Sequence, residues 1–553
     1  MSQSGKSYGV AFLRGAYVVL CSAMLLFVME TPAQAQSMPT RHMRQEVVSG
    51  EATFSNRLPA TQTLHLNIAL PLRNESELDE LLQQLYDPQS PSFHRFLSVQ
   101  EFTERFGPTE EDYAAVIRFA EQNGLTVTGT FPNRMVVDVT GSVADIESAF
   151  HVTMGSYQHP TEDRTFYSPD REPLPDLRVP LWHISGLDNF SIPHPASLSR
   201  APEAKGHTTG SGPSGYFLGS DMRAAYYGGT ALTGAGQSVG LLEYAGYNIT
   251  DVKNYFSKVG QTNTVTVTGI SADGRSSLSC TGGCDDTEQA LDIEEAISMA
   301  PGLTSVRVYV SDTSDVDIFN KMATDNISKT LSSSWTWSPA DPSSDDPYFK
   351  EFATQGQNLF QASGDSGSYG SRSREVYPAD DAYVTSVGGT DLTTNGGGGS
   401  WKSETAWSDS GGGISPDRIA IPSYQKTAGV ITTANKGSKT YRNSPDVAAE
   451  ANTDNYICYD GTCEGGWGGT SFAAPRWAAF VALVNQQSVA SGYKTLGFIN
   501  SAIYTIGLGT SYSTAFHDIT SGSNGTYSTE KGYDLVTGWG SPNGTGLITA
   551  LVP

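Results

Sequence analysis

Apolar residues recur along the chain at two periods, and the switches between them outline two α/β units. Residues 61–70 alternate apolar and polar, which predicts a strand with one buried face. Asn74-Glu75-Ser76-Glu77 then opens a helix in a capping-box arrangement that runs to about Tyr86. A second amphipathic helix is predicted from Thr109, its cap, to Asn123, with Gly124 as the stop. Strands at 126–131 and 134–139, a helix at 143–150 and a strand near 151–157 complete a β-α-β-β-α-β-like order. Residues 193–215, rich in Pro, Gly, Ser, Thr and Ala, read as an exposed linker with a natural processing site. Beyond them, apolar strands at 238–244, 305–310, 329–335, 358–363 and 383–387 alternate with helices and Gly-rich loops. That pattern predicts a parallel sheet covered on both faces. The loops 396–399 and 411–413 are candidate substrate-approach surfaces, and there is no internal repeat.

The N-terminus adds an export signal. Lys6 and Arg14 precede an apolar stretch from Ala16 to Val28, followed by Thr31-Pro32-Ala33-Gln34-Ala35. A secretory signal cut after Ala35 is expected, the apolar run being too short to span a bilayer comfortably. Cysteine usage agrees with export. Cys21 leaves with the signal, and Cys280, Cys284, Cys458 and Cys463 remain, with three possible pairings. Nearest-neighbour disulfides, 280 with 284 and 458 with 463, are favoured over a four-cysteine zinc site, whose usual ribbon spacing is missing. A net charge of −24 makes nucleic acid and anionic membranes poor partners. Seven of the nine histidines lie before residue 200, leaving His207 and His517 for the larger unit.

Candidate chemistry is concentrated in that unit. Gly468-Gly469-Thr470-Ser471-Phe472-Ala473-Ala474-Pro475 places a serine at the start of an apolar helix, where free N–H groups and a partial positive charge face an oxyanion. The serine is then either a nucleophile or a helix cap. With so little histidine nearby, a nucleophilic Ser471 needs a carboxylate as its base. Asp286 to Ile297 reads as a helix with Ala290, Ile293 and Ile297 packed inward and with Glu288 and Asp292, four apart, on one face. Two carboxyls so close have separated titrations, although an isolated pair of this kind is commonly a solvated face. In 360–368 a strand runs into a Gly-bounded turn carrying Asp365, which donates to an oxyanion only when protonated.

Together these residues resemble the sedolisin family, the serine-carboxyl peptidases, over nearly all of the chain after the signal. Residues 93–102 with Phe106-Gly107-Pro108 resemble that family's activation prodomain. The resemblance implies an α/β fold: a subtilisin-like parallel sheet with flanking helices, preceded by a small ferredoxin-like prodomain. The implied boundaries are 1–35 for the signal, 36–200 for the prodomain with a linker to about 212, and 213–553 for the peptidase domain. It implies Ser471 as nucleophile, Glu288 as general base, Asp292 as its support and Asp365 in the oxyanion hole. Glu243 resembles an acidic residue that extends the proton network and Trp335 a tryptophan beside it. Phe516-His517-Asp518-Ile519 with Lys531-Gly532-Tyr533-Asp534 is similar to the family's calcium site, implying one structural Ca²⁺. Its implied ligands are the carboxylates of Asp518 and Asp534 and the carbonyls of Ile519, Glu530 and Gly532. Glu530 stands where the family often has glycine.

The expected protein is a secreted, extracellular or periplasmic monomer. It would act on peptide or protein substrates, be inhibited by its own prodomain, and mature in acid as carboxylates and histidines of the prodomain gain protons. Unperturbed carboxyls near 4 place activity at roughly pH 3 to 5. Endopeptidase and tripeptidyl-peptidase action are both open. The rivals are a histidine-dependent subtilisin-type protease using His207 or His517, and an inactive, calcium-stabilised binding protein.

Overall fold

A computed structural model describes residues 38–196, 198–201, 209–280, 284–337, 342–370 and 376–552. The expected signal segment and His207 lie outside the described residues, and no described helix is long and apolar enough to cross a membrane.

The N-terminal unit is built on an antiparallel sheet in the order Thr126–Thr130, Val136–Ser142, Thr63–Ala69, His183–Ser185. This is the ferredoxin-like order. Alternation puts Leu64, Leu66 and Ile68 into a core with Val116 and Phe119 of helix Glu110–Gln122 and Ile146 and Phe150 of helix Val143–Phe150. Thr109 caps the first of these helices at Asp112 N, and Gly124 ends it at φ +80°. Two expectations are corrected. Asn74 does precede helix Glu75–Leu85, but it caps nothing: its amide donates to Arg105 O at 3.0 Å, so a tertiary contact replaces the capping box. The strand Met154–Gln158 forms, but it joins a separate sheet with Thr53–Arg57 and Thr165–Pro169. The fourth place in the main sheet goes to His183–Ser185, too short to show a period.

Among the described residues the larger unit is built on a sheet whose parallel strands run in the order Thr266–Ser271, Ser305–Val310, Ser238–Glu243, Thr330–Ser333, Asn358–Ala362, Thr385–Thr394. Val447–Glu450 pairs parallel with the first half of the last strand, and Trp401–Ala406 pairs antiparallel with its second half. Two helices lie at the centre. Thr287–Met299 is buried at every residue, and Thr470–Ala490 is buried from Thr470 through Asn485. The second is apolar on all sides, as a helix wrapped by sheet and helix must be. Trp477 and Phe480 anchor it in the core at about 1.5–3 kcal/mol per buried apolar side chain. Its one cation, Arg476, is fully matched: Nε donates to Glu295 Oε2 at 2.7 Å, Nη1 to Glu450 O at 2.7 Å and Nη2 to Asn455 Oδ1 at 2.8 Å. Disulfides join Cys280 to Cys284 and Cys458 to Cys463, so none of these four is a thiolate ligand for zinc.

The two units share buried polar contacts. Asn67 donates to Asp138 within its own unit at 2.8 Å and to Asp317 across the boundary at 2.6 Å. Asn133 donates to Asn320 at 2.7 Å and to Glu351 at 2.9 Å. Nor is the described part of the linker simply exposed: His194–Pro195 pairs with Trp335–Thr336, and Ser199–Arg200 pairs with Trp467–Gly468. The strand predicted at 329–335 accordingly ends at Ser333, and Trp335 pairs with the linker instead.

Candidate active site

Helix Thr287–Met299 brings Glu288 and Asp292 to the start of helix Thr470–Ala490, and the Glu295–Arg476 pair locks the two helices together. Both carboxyls are buried, Glu288 at 3% exposure and Asp292 at 0%, so the solvated-face reading does not hold. Ser334 donates its hydroxyl to Asp292 Oδ1 at 2.9 Å and lies 3.4 Å from Ser471 O. Trp335 Nε1 donates to Glu243 Oε2 at 2.9 Å. Glu243, closing strand Ser238–Glu243, is wholly buried beside Asp292. The structure therefore brings together Ser471, Glu288, Asp292, Glu243 and Trp335 in one buried row.

Electrostatics follow from that burial. Glu288, Asp292 and Glu243 are all pushed well above the usual carboxyl range, first by desolvation and then by each other's charge. Opposing the rise are the Ser471 hydroxyl beside Glu288, Ser334 at Asp292 and the Trp335 N–H at Glu243. Three carboxyls packed this way do not all ionise together. Among the described residues the Ser471 Oγ and both Glu288 oxygens are buried without a hydrogen-bond partner.

Asp365 approaches from the other side. Strand Asn358–Ala362 delivers it through a turn in which Gly364 has φ +101°. Its Oδ1 accepts both the backbone N–H and the hydroxyl of Thr470, each at 2.7 Å. Its Oδ2 faces Gly469, where a Cβ would lie only 2.6 Å away, so a side chain at 469 would displace the carboxyl. Burial pushes the Asp365 carboxyl up to about 8 against the pull of Thr470. It therefore carries its proton at neutral pH, as a hydrogen-bond donor must. Gly411 N donates to Gly364 O at 2.6 Å, putting loop 411–413 beside this turn. Loop 396–399 instead packs on the segment around Asp221, whose carboxylate accepts Gly398 N at 2.6 Å.

Ser334, Thr470 and the Glu295–Arg476 pair were not singled out from the sequence. For Arg476 a signal existed: a cation in an otherwise apolar helix demands a buried carboxylate. For Ser334 there was none, since serine is common at strand ends. His517 is engaged elsewhere, stacked on Trp401 at 3.9 Å with burial pushing it down to about 4. Among the described residues no hydrogen bond links a histidine to Ser471.

The calcium candidates also converge. Asp518 Oδ1 accepts Gly532 N at 3.1 Å, and Asp534 Oδ2 accepts Glu530 N at 3.1 Å, so one turn is pinned to both carboxylates. Ile519 is buried alongside.

Comparison with known proteins settles the family. A model of the pro-kumamolisin activation domain matches residues 51–190, and one of the subtilase family matches residues 281–495. The chain is 30% identical over 559 residues to kumamolisin of Bacillus sp. (strain MN-32), covering 92% of this chain and 97% of the relative. The chain belongs to the sedolisin family of serine-carboxyl peptidases. Sedolisin of Pseudomonas sp. (strain 101) is 28% identical over 536 residues, covering 88% of this chain and 86% of sedolisin. Canine (Canis lupus familiaris) tripeptidyl-peptidase 1 is 26% identical over 560 residues, covering 90% and 93%. A solved structure of Pseudomonas sedolisin, a serine-carboxyl proteinase in complex with pseudo-iodotyrostatin, superposes with a TM-score of 0.52 at 26% identity, over 60% of this chain and 96% of that one. The protein is thus a serine-type peptidase with an N-terminal activation domain, on a subtilisin-like sheet.

Proposed function

We propose that this sedolisin-family peptidase is exported as a proenzyme and hydrolyses internal peptide bonds in acid, with Ser471 as nucleophile. Glu288 takes the Ser471 proton, while Asp292, fixed by the Ser334 hydroxyl, supports Glu288 through its charge. Glu243, held by the Trp335 N–H, closes the far end of the row. Protonated Asp365 and the backbone N–H of Ser471 stabilise the oxyanion, and water releases the acyl group by the reverse transfer. The observation that carries this reading is the buried carboxyl row ending at a serine hydroxyl on a helix start, with no histidine among the described residues bonded to it.

The linker supports maturation in place. Ala196 N donates to Ser334 O at 2.9 Å, next to Ser471, and Leu198 packs with Leu291 and Phe472 beside it. A cut between Ala196 and Leu198 frees residues 36 to about 197 as the prodomain. Asp518 and Asp534, with the carbonyls of Ile519, Glu530 and Gly532, would offer an all-oxygen set to one Ca²⁺. The ion would neutralise the two carboxylates and brace the C-terminal turn.

The test compares wild type with Ser471→Ala and Glu288→Gln from pH 3 to 7, following proenzyme size and digestion of a denatured protein. Acid-dependent maturation and digestion, lost in both variants, is expected. Activity that survives Glu288→Gln rejects the carboxyl base, and release of amino-terminal tripeptides alone rejects endopeptidase action.

A further inference from the structure

The hairpin of strands Asn455–Tyr459 and Thr462–Gly468, closed by the Cys458–Cys463 disulfide, flanks the cleft and takes no part in the carboxyl row. Its second strand accepts the chain beyond Leu198 as a third strand. Ser199 opposes Gly468, Arg200 opposes Trp467, and Ala201 N donates to Gly466 O at 2.8 Å. Backbone pairing of this kind accepts many sequences. The Arg200 side chain, by contrast, is read individually. Its guanidinium donates to Glu464 Oε2 and lies 5.8 Å from the centroid of the Trp467 ring. Tyr459 donates its hydroxyl to the other Glu464 oxygen, fixing the carboxylate in place, and the Tyr459 and Trp467 rings meet edge-on at 5.1 Å. A carboxylate oriented by its own hairpin, beside an indole face, is a receptor for a cationic side chain.

We infer that this hairpin is a substrate subsite downstream of the cleaved bond, specific for arginine or lysine, and that Arg200 fills it in the proenzyme. The position read is the fourth after the residue whose N–H reaches Ser334 O, which is Ala196 in this chain. Both ends of a substrate are then held: the upstream end by pairing with Trp335–Thr336, the downstream end by Trp467–Gly468 and Glu464. The inference rests on the peptidase reading above, because a subsite needs a cleavage to serve.

Peptides spanning residues 192–201, with Arg, Lys, Ala or Glu at the position of Arg200, test it with matured enzyme. The expected kcat/KM for Arg and Lys exceeds that for Ala by about 5- to 30-fold, with Glu slowest, and Glu464→Lys reverses the order. Equal values for all four peptides overturn the subsite while leaving the peptidase reading intact. If no peptide is cut at any pH, the peptidase reading fails, and the pairing is decided on the full-length Ser471→Ala chain. There, adding Glu464→Gln must speed tryptic cleavage after Arg200 several-fold, and an unchanged rate overturns the inference.

Discussion

Arg476 donates to Glu295 at 2.7 Å inside the core, and this pair joins the helix that bears Ser471 to the helix that bears Glu288 and Asp292. The spacing between serine and carboxyl thus depends on a contact that touches neither. Both side chains are about 1% exposed, so removing one strands a buried charge. Glu295→Ala and Arg476→Ala should each destabilise the proenzyme by about 3–5 kcal/mol. Arg476→Lys should not rescue, because a single ammonium cannot meet three acceptors that point along a fork. Thermal unfolding of the Ser471→Ala background measures this free of self-digestion, and an unchanged melting temperature rejects the clamp.

Asp365 sets a limit on the alkaline side. Its carboxyl is raised to about 8, so it keeps its proton below that value and loses it as pH rises through it. Donation to an oxyanion is therefore present in acid and at neutrality and lost above about pH 8. Asp365→Asn donates at any pH. That variant should lose about 10- to 100-fold in kcat yet lack the wild-type fall on the alkaline side. Profiles of kcat from pH 4 to 9 on a peptide decide it: an unaltered alkaline limb in the variant assigns that limb to another group.

Release of the prodomain in acid was expected from both carboxylates and histidines, and the structure separates their signs. Burial raises Asp138 to about 6 and Glu351 to about 8. Their contribution is complete below their ordinary values and fades as pH rises, so acid strengthens those contacts. His94 has the opposite sign. Packed against Tyr86, Phe93 and Phe96, it is pushed down to about 4, and its contribution, complete above 6.5, is lost as pH falls from 6.5 to 4. His94→Phe keeps the packing without the proton. Its maturation should begin at a pH lower by roughly half a unit, read by the size of the product across a pH series. An unchanged onset removes His94 from the trigger.

Chelation tests the C-terminal turn. With EDTA, the melting temperature of the Ser471→Ala proenzyme should fall by several degrees and return on adding Ca²⁺ but not Mg²⁺, which resists a site of mixed carbonyls and carboxylates. Asp534→Asn should melt lower and lose the response to Ca²⁺. A melting temperature indifferent to chelator and ion rejects the site.

Much of the fold was legible because its local signals agree with its burial. Residues 61–70 alternate, Thr109 and Gly124 bracket a helix, and the Gly-Gly-Thr-Ser octet falls on a helix start. Ser471 and Asp365 stood out by their Gly-bounded settings, and Glu288 and Asp292 by their spacing of four together with the shortage of histidine. What was not legible depends on partners distant in sequence. Asn74 faced a choice between its own helix and Arg105, which only the folded chain resolves. Val447–Glu450 is four residues long and becomes a strand by lying against Val387–Thr390, and Ser334 matters only because Asp292 and Ser471 converge on it. The linker carried turn-like composition, yet backbone groups on both sides of the cleft recruit it into sheets.

That recruitment has a kinetic consequence. The segment lying across the cleft is part of the same molecule as the serine it approaches, so the first cut we propose involves no collision between enzyme and substrate. Its rate contains no protein concentration: halving the amount of proenzyme leaves the half-time of conversion where it was. Only the molecules already converted can add a second, concentration-dependent phase. A dilute enzyme reaching an acid environment would thus switch on by a clock set within each chain, independent of how many copies arrive together.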